Sequence, residues 1–321
     1  MAKLVWGSRG SEGENCFPQL LLKISVYGTL SWLLLGWRLH TMRRSIKTLS
    51  IFYRKDNRRA VFWNTKILTW LAREYPRIAV SSRNSDALLV LGGDGTILEA
   101  VQRYPKKVRA VFGLNLGHTG FLASVREPRM FLPSLRAFLK GEYTTVKRMM
   151  VEVGVYRKNK KVFSAYSLNE ISVQSLLGMV EIEVFIDGHI AQHIRGSGVL
   201  VATATGSTAY NLSAHGPIVM PDIQCMILTE IMDHNIPTPS IVIKRDREVE
   251  LRIASFRKRG LLTVSKTNEP ADVVVTADGE NIFPLHEGDL IKIRRAPRLV
   301  TFAEVERNYF FKSLQDKFAF R

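Results

Sequence analysis

Cysteine is nearly absent from this 321-residue chain, which holds only Cys16 and Cys225. Two thiols so far apart exclude a disulfide framework and the close spacing of a zinc site, and they suit a reducing compartment. Acidic residues are scarce beside basic ones: 29 Asp and Glu against 46 Lys and Arg leave a net charge of +17. Such an excess concentrates anions near the surface and favours phosphate-bearing partners. The basic clusters, at Arg43-Arg44, Arg54-Lys55, Arg58-Arg59, Lys158 to Lys161 and Arg257-Lys258-Arg259, lack interleaved aromatics. They read as a solvated surface, and no nucleic-acid partner is expected. The charge-free run Ile24 to Trp37 falls short of the about 20 residues of a membrane-spanning helix. The longest apolar stretch, within 19–37, is broken by Lys23 and is followed, not preceded, by Arg38, Arg43 and Arg44, which disfavours a secretory signal. Residues 1–41 read as a dispensable extension, with a membrane anchor through 19–37 as the less favoured reading. Internal repeats and low-complexity tracts are lacking. His189 and His193 fall on strand-like sequence, where a spacing of four does not converge on an ion, so no protein-held metal is expected.

What is present suffices for two cores: 46% of residues are hydrophobic. From Met42 the chain alternates strand and helix. Leu49 to Tyr53 reads as a strand, and Ala60 to Leu71 as a helix with Phe62, Trp63, Ile67, Leu68 and Leu71 on one face. Asp86 to Leu91 is a continuous apolar run of the kind a buried parallel strand carries, and it ends on Gly92-Gly93-Asp94-Gly95-Thr96 ahead of a helix from Ile97. Val108 to Leu114 follows as a strand and Pro128 to Lys140 as a helix. After Tyr143 period-two strands dominate: Met150 to Tyr156, Tyr166 to Val173, Val180 to Ile186, His189 to Arg195, Ser240 to Ile243, Glu248 to Ile253, Val273 to Thr276 and Leu290 to Arg294. Asp187-Gly188 and Asp278-Gly279 are hairpin turns. The expected fold is a Rossmann-like α/β nucleotide-binding domain over 42–142 and a mainly antiparallel β domain over 143–300. A final helix over 301–321 packs back on the first.

The chemistry starts at the first loop. Gly92, Gly93 and Gly95 permit positive φ and close approach, so that backbone amides and the positive end of the next helix can hold phosphate. Asp94 is out of place among phosphate-binding amides unless it holds a cation or takes a proton from an attacking hydroxyl. Both are roles that phosphoryl transfer requires. About a hundred residues on, Thr203 to Tyr210 forms a second small, hydroxyl-rich segment, the other half of one nucleotide site.

Gly92-Gly93-Asp94-Gly95-Thr96 is a signature shared by NAD kinases, phosphofructokinases and lipid kinases. Asn115 to Leu122, Leu168-Asn169-Glu170, and Thr203 to Tyr210 running on to Gly216-Pro217-Ile218 make the stretch from Met42 onward resemble the NAD kinase family. That resemblance implies a phosphofructokinase-like first domain and ATP-dependent phosphorylation of the adenosine ribose 2′-hydroxyl of NAD. By resemblance, Asp94 is the base; Gly92, Gly93, Gly95 and Thr96 hold phosphates. Phe121 packs near the adenine, Asn169 and Glu170 hold the ribose, and Thr205, Thr208, Ala209 and Tyr210 contact adenine and ribose. It also implies magnesium carried mostly by ATP, polyphosphate as an alternative donor, a homodimer or homotetramer, and a cytoplasmic enzyme. The pattern departs at Ser197, where the family carries aspartate, at Ala204 in place of proline, and at Asp233-His234-Asn235 in place of Pro-His-Ser. A membrane-associated lipid kinase and a non-catalytic NAD(P) sensor are the alternative readings; the first leaves Thr203 to Pro217 unexplained.

Overall fold

The computed structural model describes residues 46–81, 85–104, 108–117, 120–234, 238–265, 267–306 and 308–318. The apolar stretch within 19–37, Cys16, His118-Thr119 and Asn235 lie outside them. Strand β1 (Thr48–Tyr53) leads to helix α1 (Arg58–Glu74), whose first turn is capped by Asn57 accepting from the Ala60 amide at 3.2 Å. The buried face of α1 is Ala60, Ile67, Trp70 and Leu71, a stripe at helical spacing. Phe62 is 60% exposed and Leu68 38% exposed, so the expected face is corrected by a rotation. Strands β2 (Ala79–Val80) and β3 (Ala87–Leu91), helix α2 (Asp94–Arg103), strand β4 (Ala110–Leu114) and helix α3 (Phe131–Lys140) complete the α/β part. β1, β3 and β4 pair in parallel in the order β2-β1-β3-β4. α1 and α3 cover one face around Phe112 and Phe138, and α2 lies in the cluster on the other with Ile97 and Val101.

Antiparallel strands follow: β5 (Thr144–Arg157), β6 (Lys160–Ser167), β7 (Glu170–Ser175), β8 (Val180–Ile186) and β9 (His189–Thr203). After the short helix α4 (Tyr210–Ser213) come β10 (Cys225–Asp233), β11 (Ile241–Lys244), β12 (Val249–Phe256), β13 (Thr263–Val264), β14 (Glu269–Pro270), β15 (Val273–Ala277), β16 (Asn281–Pro284) and β17 (Leu290–Glu304). Helix α5 (Tyr309–Phe318) ends the described chain. Both Asp-Gly turns have positive φ at each residue, 50° and 79° at Asp187-Gly188 and 51° and 70° at Asp278-Gly279, the geometry that matches strand twist.

The expected strand Tyr166 to Val173 is broken. β6 ends at Ser167 and β7 starts at Glu170, with Leu168 and Asn169 in a bend. β17 runs well past the expected Arg294. Its first half pairs with β12 and its last residues reach the α/β part, where Phe302 pairs with Val111 of β4. Among the described residues, fifteen strands thereby form one sheet. Buried aliphatics of β5, β7, β9, β12, β15 and β17 form the second core. Met150, Leu168 and Phe302 join α2 in a cluster between the two parts.

Candidate active site

The first loop lies at the carboxyl end of β3, where ligands of open α/β sheets bind. Gly93 caps α2 with φ −85° and ψ −174°, and Gly95 is inside the helix, so the positive φ expected of these glycines is not used. Space is the reason for glycine here. A Cβ on Gly92 would lie 2.4 Å from the Thr96 hydroxyl, and Gly93 and Gly95 have nothing within 4 Å of where a Cβ would stand, which leaves the backbone open to a ligand. Helix α2 starts at Asp94 itself, earlier than the expected Ile97.

Asp94 is anchored to the second glycine loop. Its carboxylate accepts from the Phe121 amide at 2.7 Å and the Leu122 amide at 3.2 Å. It lies flat on Gly120, where a Cβ would be 2.3 Å from Oδ1. Any side chain at 120 would displace it. Three buried or half-buried side chains donate to carbonyls of that loop. Arg148, 2% exposed, donates to the Phe121 carbonyl at 3.3 Å and faces Glu304 at 3.9 Å. Burial pushes the Arg148 guanidinium pKa down, against the pull of Glu304, Asp94 and Tyr309. Burial also pushes the Glu304 carboxyl up, so desolvation outweighs attraction for both partners. The Gly120 carbonyl accepts from Tyr309 Oη at 3.0 Å and from Arg126 at 3.2 Å. Arg126 in turn reaches Ser313 at 2.5 Å and Asp316 at 2.6 Å, so α5 braces the loop. The Phe121 ring, expected beside an adenine, is 4% exposed under Phe310, Phe318 and Lys317 of α5. Its backbone amide is the group that meets Asp94.

The second half converges on Asn169. The Thr203 amide donates to the Asn169 carbonyl at 2.7 Å, and Thr203 Oγ1 donates to the Leu168 carbonyl at 2.6 Å. The same hydroxyl accepts from the Thr205 and Gly206 amides, which closes the turn. Gly206 is pressed against Asn169 so closely that a Cβ would lie 2.2 Å from its carbonyl oxygen. Thr205 and Thr208 are buried, at 5% and 8%, and Thr208 Oγ1 points back to the Thr205 carbonyl at 3.4 Å. Tyr210 is exposed, its hydroxyl 3.3 Å from Gln174, and Ala209 is half-buried beside it. Asn169 is half-buried, whereas Glu170 is buried with Oε2 unpartnered. Burial, reinforced by the neighbouring Asp278 carboxylate, pushes the Glu170 carboxyl up to about 8.

Sequence reasoning missed Gly120, Arg148, Arg126 and Asp278. Neither Arg148, which follows Lys147, nor a turn aspartate stands out in the sequence. His189 and His193 are both exposed along β9, and no group of three His, Cys, Asp or Glu side chains that could hold a metal occurs among the described residues. No helix among them is long and apolar enough to cross a membrane.

Residues 77–143 match the family model of the ATP-NAD kinase N-terminal domain, and residues 168–305 that of the ATP-NAD kinase C-terminal domain. An NAD kinase of Geobacter metallireducens is 32% identical over 291 residues, 85% of this chain and 98% of that protein. One from Symbiobacterium thermophilum is 37% identical over 234 residues, 72% and 78% of the two chains. Among solved structures, yeast NADH kinase complexed with NADH superposes with a TM-score of 0.77 at 19% identity, covering 87% of this chain and 89% of that one. An NAD kinase from Archaeoglobus fulgidus in complex with ATP gives 0.63 at 25% identity, covering 85% and 97%.

Proposed function

The chain belongs to the ATP-NAD kinase family, and from that premise we propose how its residues divide the phosphorylation of NAD by ATP. Asp94 takes the proton of the adenosine ribose 2′-hydroxyl as that oxygen bonds to the γ-phosphorus; the bond to the β-phosphate oxygen breaks, and ADP leaves with the electron pair. The single observation that carries the reading is the anchoring of Asp94 by two amides of the 120–122 loop. A carboxylate oxygen that accepts one amide retains a second lone pair, so the anchored group can still receive a proton. The same amides fix its orientation, and a fixed base is what general-base catalysis needs.

Gly93 and Gly95 leave the backbone open to phosphate oxygens at the start of α2, whereas the Gly92 amide is taken by the Leu114 carbonyl at 3.0 Å. Asn169 and Glu170 hold the acceptor ribose, and a protonated Glu170 offers a donor as well as an acceptor to a diol. Ala209 and Tyr210 line the adenine side, while Thr205 and Thr208 shape the turn beneath them. The divalent cation enters with ATP as part of the substrate, consistent with the reluctance of Mg²⁺ to give up its waters for protein ligands. A homo-oligomer working in the cytoplasm is the setting the family suggests. A lipid kinase would leave the packing of Thr203 and Gly206 on Asn169 without a purpose.

The test is direct. Purified protein with MgATP and NAD is expected to form NADP, read by an NADP-specific dehydrogenase. Asp94→Asn is expected to lower kcat by about 10²–10⁴-fold while NAD binding, measured by calorimetry, is kept. Equal turnover in the variant would remove Asp94 from the role of base.

A further inference from the structure

Asp278 does more than a hairpin turn requires. The β15–β16 turn needs residues that tolerate positive φ, which asparagine or glycine would supply equally. Here the aspartate is drawn inward and accepts from four donors. Oδ1 receives the Asn169 amide at 2.8 Å and Ser167 Oγ at 2.5 Å; Oδ2 receives the Leu168 amide at 2.9 Å and Gln102 Nε2 at 3.2 Å. The Asp278 amide donates to the Glu170 carbonyl at 3.1 Å.

Two features of this arrangement bear on the reaction. Consecutive amides of an extended strand point in opposite directions, so Leu168 and Asn169 can share one carboxylate only by leaving the ladder. That is where β6 and β7 separate. Gln102, for its part, belongs to α2, the helix that begins at Asp94 eight residues earlier, about 12 Å along a rigid rod. Its side chain spans the turn, donating to Asp278 and accepting from Asn281 Nδ2 at 2.9 Å. Arg54 links the same surfaces less tightly, with Glu99 of α2 at 2.9 Å and Glu280 of the turn at 3.8 Å.

We propose that Asp278 is a positioning residue for the acceptor: it holds the 167–169 bend that presents Asn169 and Glu170, and through Gln102 it sets that bend against the helix carrying Asp94. The proposal rests on the reading of Asn169 and Glu170 as the ribose-holding pair. Asp278 touches no reacting atom. It acts by fixing where the acceptor stands relative to the base.

Steady-state kinetics with each substrate varied in turn, together with NAD titration calorimetry and thermal melting, test it on the full chain. Asp278→Asn replaces an acceptor oxygen with an NH₂ that faces amide donors. It is expected to raise both Kd and KM for NAD about tenfold or more, with KM for ATP within about twofold of wild type. Gln102→Ala keeps the bend but cuts its tie to α2, so kcat falls several-fold while Kd for NAD holds. A merely structural role would lower the melting temperature and the active fraction and leave both KM values alone. That result overturns the proposal, as does a parallel rise in both KM values. Should Asp278→Asn not fold, Ser167→Ala and Gln102→Ala decide: wild-type KM for NAD and wild-type kcat in both would refute it. Absence of NADP formation by the wild-type protein would instead sink the functional reading itself.

Discussion

Glu170 shows how much of a site can hang on the surroundings of one side chain. In sequence it is the last residue of Leu168-Asn169-Glu170; in the fold it is buried beside Asp278, and its carboxyl titrates at about 8 instead of 4.5. Between those values the native state keeps a proton that the unfolded state has released. Stability therefore falls as pH rises from about 4.5 to about 8, and levels off above. Urea unfolding of the ligand-free protein at a series of pH values is expected to show this decline, with a total on the order of a few kcal/mol. Glu170→Gln is expected to flatten the curve over the same window. An identical slope in the variant would place the linkage on another group. Gly120 and Arg148 teach a related lesson: each is ordinary in sequence, and each matters because of what the fold lays against it.

At the level of elements, α5 is the informative case. Its apolar spacing predicted a helix that must dock, and Tyr309, Phe310 and Ser313 are its buried face. What spacing could not give was the target, the Gly120 carbonyl beneath Asp94. Tyr309→Phe removes one of two donors to that oxygen, and Arg126→Met removes the other. Tyr309→Phe alone is expected to cost about 0.5–1.5 kcal/mol, the ordinary net worth of a hydrogen bond, and Arg126→Met more, since it also gives up Ser313, Asp316 and Tyr309 Oη. Together they are expected to depart from the sum, because only the pair leaves the carbonyl unpaired and each single variant already loses the Arg126–Tyr309 Oη bond. A double-mutant cycle by chemical denaturation measures this, and strict additivity would show that the two donors act independently. One central strand went unread. Cys225–Asp233 lies between β9 and β11, so its run Cys-Met-Ile-Leu-Thr carries no alternation to mark a strand. Tyr166 to Val173 failed differently: its residues fit a strand, and Asp278 and Thr203, both distant in the chain, hold the bend at Leu168-Asn169.

Over the whole molecule, charge and sheet continuity work together. A net +17 repels itself, and added salt screens the repulsion as the Debye length shrinks from about 30 Å at 0.01 M to about 10 Å at 0.1 M. The melting temperature is expected to rise over that range while KM for ATP rises too, since the same field steers an anionic substrate inward. Thermal scans and initial rates at matched salt check both; a falling melting temperature would mean that local ion pairs outweigh the repulsion. The sheet matters because β17 pairs with strands of both parts, tying the α/β layer to the antiparallel one. By itself the sequence determined the local matters: the type of most helices and strands, and the place of Asp94 among glycines at the end of β3, because these depend on residues within a few positions of one another. Tertiary structure alone decided what holds the site together, namely Gly120 under Asp94, Arg148 under Phe121, and Asp278 under Asn169. Those pairings join residues far apart in the chain through backbone groups, and a backbone amide or carbonyl is the same at every position until folding gives it a neighbour.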